Sequence, residues 1–311
     1  MINKAAKFIK SGGVVAFPTE TVYGLGADAT NEEACLKIFR LKNRPAINPL
    51  IVHVASLEQA KTIGEFNEIA NLLATKLWSG PLSLVVPLKD TANIAHAVTA
   101  GLKTIALRMP AYPLALELIE KAGIPIAAPS ANPSNYISPT NERHVQEHFL
   151  DNEAVFILSP ESYQSEYGLE STIIDTTLKQ PTILREGFIT SETLEKILGI
   201  KIVKANMTME VKAPGMLAKH YSPKVPIRLN TTNLEDREIA LNFGSSNLQG
   251  EFSLNLSISG DLAEAAANLY AYLRMLDNYA ISHNITRIAI APIPSVNIGI
   301  AINDRLKRAA F

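Results

Sequence analysis

The sequence is short of the residues on which the commonest catalytic and structural devices depend. It holds one cysteine, Cys35, in 311 residues. An internal disulfide is therefore impossible, and so is a cysteine-rich zinc segment. Charge of one sign is also lacking: Lys and Arg number 29 against 30 Asp and Glu, for a formal net charge of -1. A chain so balanced does not hold nucleic acid by bulk attraction, so any anion site must come from a few placed cations. No apolar run approaches the roughly 18 residues of a membrane span. The start, Met1-Ile2-Asn3-Lys4-Ala5-Ala6-Lys7-Phe8, is broken by lysines and carries no apolar signal-peptide core. A cytoplasmic protein with no membrane partner is expected.

Familiar site signatures are missing too. There is no G-x-x-x-x-G-K-[ST], no G-x-S-x-G around Ser130 and no H-E-x-x-H. Gly24-Leu25-Gly26 begins a G-x-G, but position 29 is alanine and no helix is predicted to open there. His144 and His148 stand four apart on a predicted helix, which permits a metal. No further ligand is indicated, so an exposed helix face is preferred and no protein-held metal is expected.

What is present is a large apolar fraction, 47% of residues, enough for a packed core. The length predicts two domains. A short helix over 2–11 stops at Gly12-Gly13, and Val14-Val15-Ala16-Phe17 reads as a buried strand. A loop over 18–30 leads to a helix capped by Asn31 and running to Leu41. Strands are predicted at 50–54, 82–88, 104–109, 155–158, 171–176 and 181–185, and Ile126-Ala127-Ala128 leads into a loop over 129–139. Helices are predicted at 56–63, 67–78, 112–122, 141–149 and 190–198. They mix without strict alternation, which points to a mixed α/β sheet. Residues 201–225 are rich in turn formers and read as a linker. Beyond it, strands near 226–229, 238–243 and 287–291 flank a helix from Asp261 whose Leu262, Ala266, Leu269, Leu273 and Leu276 share one face. A last helix covers 299–309. The boundaries are thus 1–200, 201–225 and 226–311.

Five polar segments adjoin apolar strands. Phe17-Pro18-Thr19-Glu20-Thr21-Val22-Tyr23-Gly24 offers hydroxyls and a carboxylate after a strand, which suits a small polar ligand and equally an ordinary turn. Arg40-Leu41-Lys42-Asn43-Arg44-Pro45 with Asn48 sets three cations past a helix. They would suit a polyphosphate, or merely offset the helix dipole. Pro129-Ser130-Ala131-Asn132-Pro133-Ser134, with Thr140 beyond, places Ser130 and Asn132 on one side if the chain is extended. Gly168-Leu169-Glu170-Ser171-Thr172 enters a strand, and Ile183-Leu184-Arg185-Glu186-Gly187 ends one. His53 and Arg108 lie in or at the end of apolar strands. A lone strand histidine is more often a core residue, whereas Arg108 is expected to meet a carboxylate or phosphate.

In this order the segments resemble the Sua5/YrdC/YciO family in its longer, Sua5 form. The pattern includes PTETVYGLGADA (18–29), KNRP with NPLIVHV (42–54), SGPLSLVV (79–86), RMP (108–110), APSAN with Ser134, GLESTIID (168–175), ILREG (183–187), PGM (214–216) and HYSP (220–223). There are departures. The family often has Trp-Pro-Gly-Pro at 78–81, Lys-Gly-Arg at 42–44 and Arg-Pro-Gly at 185–187. This chain has Ser79, Asn43 and Glu186 instead. None removes a cation or hydroxyl that the implied site needs.

The resemblance implies a YrdC-like mixed twisted sheet with helices, plus a small Rossmann-like C-terminal α/β domain. It also implies the reaction. ATP, L-threonine and bicarbonate would give L-threonylcarbamoyladenylate and pyrophosphate, a step toward N6-threonylcarbamoyladenosine at tRNA position 37. On that reading Lys42 and Arg44 are the catalytic cations. ATP is held by Lys42, Arg44, Asn48, Thr104, Asn132, Thr140, Arg185 and Tyr221. Threonine is held by Thr21, His53, Arg108, Ser130 and Ser171. Mg2+ comes mainly through the phosphates. The implied partners are the three substrates and downstream tRNA-modification proteins that accept the adenylate, with weak RNA contact conceivable. The alternatives are an RNA-binding module of the same fold and a paralogue adenylating a different carbamate.

Overall fold

The structure is a computed structural model and describes residues 1–160, 163, 165–205 and 220–310. Among the described residues, ten strands form one mixed sheet. Its order is Val203–Lys204, Thr182–Arg185, Thr172–Asp175, Leu82–Pro87, Thr104–Arg108, Ile51–His53, Ile126–Ala127, Gly24–Asp28, Val14–Phe17 and Val155–Ile157. Parallel and antiparallel pairs are interspersed. The central strands are buried along their whole length because apolar residues pack on both faces. Helices Glu32–Lys42 and Glu68–Leu77 contribute to one core, through Ile38, Leu73 and neighbours. Helices Ile2–Lys10 and Pro113–Ala122 contribute to the other, through Ile9, Leu118 and Ile119.

A second sheet of four strands is wholly parallel, in the order Ile227–Arg228, Arg287–Ile290, Glu238–Asn242 and Ser253–Asn255. Along Glu238–Asn242, Ile239 and Leu241 face one core while Ala240 faces another, the two-residue period of a strand. Helices Leu262–Ser282 and Ile298–Ala309 share the first of these cores. The same core takes in Val22, Ile137 and Leu169 from the polar segments of the larger sheet. The two parts are thus welded by apolar contact.

Predicted element positions agree closely with those seen, and side chains cap the helices. Asn31 accepts from the Ala34 amide, Ser56 from Gln59, and Asp261 from Ala263 and Glu264. Ile126–Ala127, expected only to lead into a loop, pairs as a strand with both Ile51–His53 and Gly24–Asp28, and three further strands differ. The expected loop 18–30 contains the strand Gly24–Asp28, antiparallel to Val14–Phe17 with Gly24 opposite Phe17. Glycines argue against a strand, yet here they are required. A Cβ on Gly26 would stand 2.6 Å from Ile126 Cγ2 and 2.7 Å from Phe17 Cε1. Val203–Lys204 extends the sheet edge inside the segment expected as linker. Ser253–Asn255 pairs by parallel register that no local pattern announces. The remainder of the linker, 206–219 with its PGM at 214–216, lies outside the described residues.

Two further expectations need correction. His144 and His148 do not lie on an exposed face. His144 is buried, with Nδ1 within hydrogen-bond distance of the Thr140 hydroxyl and Nε2 near the Asn141 amide. Burial first, and then Arg274, push His144 down to about 3 and His148 down to about 4. Nor is the chain extended from Ser130 to Asn132. The backbone bends over 131–133, and the Asn132 amide donates to the carbonyls of Pro133 and Tyr136.

Candidate active site

Sheet register decides which polar residues meet. Ile51–His53 runs parallel to Thr104–Arg108 with His53 opposite Arg108, so both end on one rim. Thr182–Arg185 runs antiparallel to Thr172–Asp175 and brings Arg185 back to Ser171. Ser130 forms an isolated bridge to Gly24 at the same rim. The result is a cavity of about 50 Å³. Its wall includes Thr21, Arg44, His53, Arg108, Ser130, Ser171, Arg185 and Tyr221, all expected from the sequence, together with Thr19, Glu170 and His220. Lys42, Asn48, Thr104, Asn132 and Thr140 stand outside this wall.

The wall has two distinct halves. In the first, the Arg108 guanidinium is buried. It donates to Glu20 Oε1 at 2.5 Å, to Thr21 Oγ1 at 3.0 Å and to the Gly80 carbonyl at 3.3 Å. Three of its five N–H groups are so used, which leaves donors for a second carboxylate. Glu20 is the partner that sequence reasoning did not single out. His53 packs edge-on to Phe17, and its Nδ1 has no partner. Burial, and then the Arg108 charge, hold its ring down to about 3. His53 is therefore neutral at ordinary pH. Ser171 Oγ and Ser83 Oγ lie 2.8 Å apart, which fixes the Ser171 hydroxyl.

In the second half, Arg44 donates to the main-chain carbonyls of Asn48 and Pro49. Arg185 donates to the carbonyl and hydroxyl of Ser171. Neither has a carboxylate within ion-pair distance among the described residues. Burial first, and then the Arg185 charge, push Arg44 down to about 9. Two buried guanidiniums that repel one another and meet only neutral acceptors form a site for an anion. Lys42 supports this half from behind: its ammonium donates to the carbonyls of Ser130, at 2.6 Å, and of Asn132. Burial, and then Arg44, push it well below the ordinary lysine range. Asn43 is the αL cap (φ 51°) that turns the chain from Lys42 to Arg44. Asparagine tolerates that conformation, so the absence of the family's glycine does no harm.

The described end of the linker lines the cavity through His220 and Tyr221. Tyr221 is buried and stacks on Tyr270 with ring centroids 5.6 Å apart. The Lys224 and Val225 amides both donate to Asp277 Oδ1, and the Ser222 amide donates to the Asn135 carbonyl. His220 Nδ1 has no partner, and burial, against a weaker pull from Glu170, holds the ring down to about 3.

Comparison with known proteins settles the lineage. Residues 7–187 match the Sua5/YciO/YrdC family model, described as "Telomere recombination", and residues 189–311 match the model "Threonylcarbamoyl-AMP synthase, C-terminal domain". The chain belongs to the Sua5/YciO/YrdC family. A Pyrococcus abyssi relative named threonylcarbamoyl-AMP synthase is 38% identical over 99% of this chain and 94% of its own length. A Bacillus subtilis relative of the same name is 38% identical over 99% and 92%. The crystal structure of P. abyssi Sua5 complexed with L-threonine superposes with a TM-score of 0.88 at 37% identity, covering 99% of this chain and 94% of that one. The mixed sheet of the Sua5/YciO/YrdC fold and the parallel second sheet are thus those of Sua5. Among the described residues, no helix is long and apolar enough to cross a membrane, and no group of three or more His, Cys, Asp or Glu side chains could hold a metal.

Proposed function

We propose that this chain is a threonylcarbamoyl-AMP synthase, forming L-threonylcarbamoyladenylate and pyrophosphate from ATP, L-threonine and bicarbonate. One observation carries the reading. The buried pair Arg44 and Arg185, with no carboxylate partner among the described residues, sits beside a guanidinium, Arg108, that still has donors to spare. The first pair suits a polyphosphate. Arg108, with Thr21, Ser130, Ser171 and neutral His53, suits an amino acid. Lys42 acts by fixing the Ser130–Asn132 loop, and Asn48 by holding Arg44. Thr104, Asn132 and Thr140 are further residues for the nucleotide.

The chemistry needs no covalent nucleophile. The threonine amine and bicarbonate give a carbamate and water, and the carbamate's carboxylate oxygen attacks the α-phosphorus of ATP as the bond to pyrophosphate breaks. The protein aligns the two and stabilises the growing negative charge on phosphate oxygens, the task of Arg44 and Arg185. Mg2+ held by the phosphates and water would share that charge. A cavity of about 50 Å³ has room for a few water-sized groups. Tyr221 and His220 line this cavity, and we take their segment as a lid that later shields the adenylate from water. We take 1–200 as the catalytic domain, 201–225 as the lid-bearing linker and 226–311 as the second domain. The action is placed in the cytoplasm, where tRNA is modified and the adenylate's acceptor proteins reside.

The test is pyrophosphate release from ATP with threonine and bicarbonate supplied singly and together. Release is expected only with both. Release indifferent to threonine would point to another carbamate and sink the assignment.

A further inference from the structure

One carboxylate and two arginines meet at the cavity wall, and the pairing between them is unequal. Glu170 Oε2 accepts from Arg305 Nε at 2.9 Å and from the Tyr270 hydroxyl at 2.9 Å, while Oε1 accepts from Ser138 Oγ at 2.6 Å. Arg185 stands near enough to bias Glu170 electrostatically, yet its N–H groups go to Ser171. Arg305 comes from the helix Ile298–Ala309 in the second sheet's layer and is 1% exposed. It also donates to the Glu186 carbonyl at 2.6 Å and places its guanidinium 5.1 Å from the Tyr221 ring. It touches the cavity wall only from the rear.

We propose that Arg305 is a positioning residue for the nucleotide site: by holding Glu170, it keeps Arg185 free of a direct ion pair beside Arg44 and open to a phosphate. A buried carboxylate must pair with something. Without Arg305 the nearest buried cation in the wall is Arg185. Glu170 would then turn to it, and the anion site would lose half its charge. The C-terminal layer is on this account part of the catalytic machinery, because it supplies the cation that occupies the competing carboxylate. The inference rests on the reading of Arg44 and Arg185 as an ATP site.

The experiment measures the dissociation constant of ATP by calorimetry on the full chain, with thermal melts to confirm folding. Arg305→Met should weaken ATP binding by about tenfold or more, the scale of one lost charge-assisted contact. Adding Glu170→Gln to that variant should recover affinity to within about threefold of the unsubstituted chain, since the competitor is gone. A merely structural Arg305 gives no such recovery. ATP affinity in Arg305→Met within about twofold of the unsubstituted chain, or a double variant no better than the single one, would overturn the inference alone. If Arg305→Met does not fold, Glu170→Gln decides. It should bind ATP as tightly as the unsubstituted chain or more so, and an about tenfold loss counts against the proposal. An unsubstituted chain that fails to bind ATP would overturn the ATP reading and this inference with it.

Discussion

Arg108 and Asn43 show how much a single residue type can carry. At Arg108 the planar fork spans Glu20, Thr21 and Gly80 while keeping donors for a substrate. Lysine keeps the charge but not the fork. Arg108→Lys should raise the KM for threonine by about tenfold or more, the price of one or two charge-assisted bonds. ATP affinity should stay within about threefold. Steady-state kinetics with each substrate varied in turn would check this, and an effect confined to ATP would count against the threonine role. At Asn43 the demand is conformational. A β-branched residue in the αL region is strained, so Asn43→Val should cost about 1–2 kcal/mol while Asn43→Gly is tolerated. Chemical denaturation of the two variants would tell them apart; equal stability would mean that the turn is not held at φ 51°.

Elements meet in this protein through close backbone approach as well as side chains. Gly168 has φ +65°, and a Cβ there would lie 2.3 Å from the Ala266 carbonyl oxygen in helix Leu262–Ser282. Gly199 has nearly the same angle, φ +68°, with nothing within 4 Å. The pair separates conformational strain from collision. Gly199→Ala should cost about 1–2 kcal/mol. Gly168→Ala should cost clearly more and lower adenylate formation, because neither backbone can yield without shifting Glu170 and Ser171. Melting temperature and pyrophosphate release measured on both would decide it, with similar losses in the two variants arguing against tight docking. The same helix places Tyr270, Arg274 and Asp277 on one face, where they reach Glu170, the Ile137 carbonyl and Tyr136.

For the whole molecule, buried titratable groups set the response to acid. His53, His144 and His220 are held at about 3 and His148 at about 4, all below the 6.5 of a free ring. Between those values the unfolded chain binds protons that the folded chain refuses. Their contribution is therefore fully present above about pH 6.5 and is lost as pH falls toward 3 or 4. At Glu170 burial pushes the carboxyl up, but Arg305, Arg185 and Ser138 outweigh it and hold it at about 2, below the ordinary 4.5. Its contribution is lost only below pH 4.5, in the same direction. The melting temperature should thus decline already between pH 6.5 and 5, before carboxylates titrate. A flat profile over that interval would mean that these rings are solvated. Replacing Tyr221 with Ala acts on the same closed assembly and should weaken ATP binding or raise adenylate leakage; unchanged values for both would argue against a lid.

Much of this was legible in the sequence because it depends on local chemistry. Apolar runs and caps such as Asn31, Ser56 and Asp261 act within a few residues, so they fixed nearly every helix and most strands. The hydroxyl- and cation-bearing segments were visible because polar residues at the ends of apolar strands must face a rim. What the sequence could not contain is pairing at a distance. Glu20 and Arg108 are 88 positions apart, and Glu170 and Arg305 are 135 apart. Which cation meets which carboxylate depends on sheet register and on where the second layer docks. The same limit hid the strand through Gly24 and Gly26, whose glycines signal a turn locally and a tight sheet contact only once Phe17 and Ile126 are in place. It also hid the inward turn of Asn132 and the burial of His144. Sequence determined the elements and the kinds of groups at the rim. Tertiary structure decided which of them share a cavity and which cations keep their charge for a ligand, because electrostatic compensation is a property of neighbours in space.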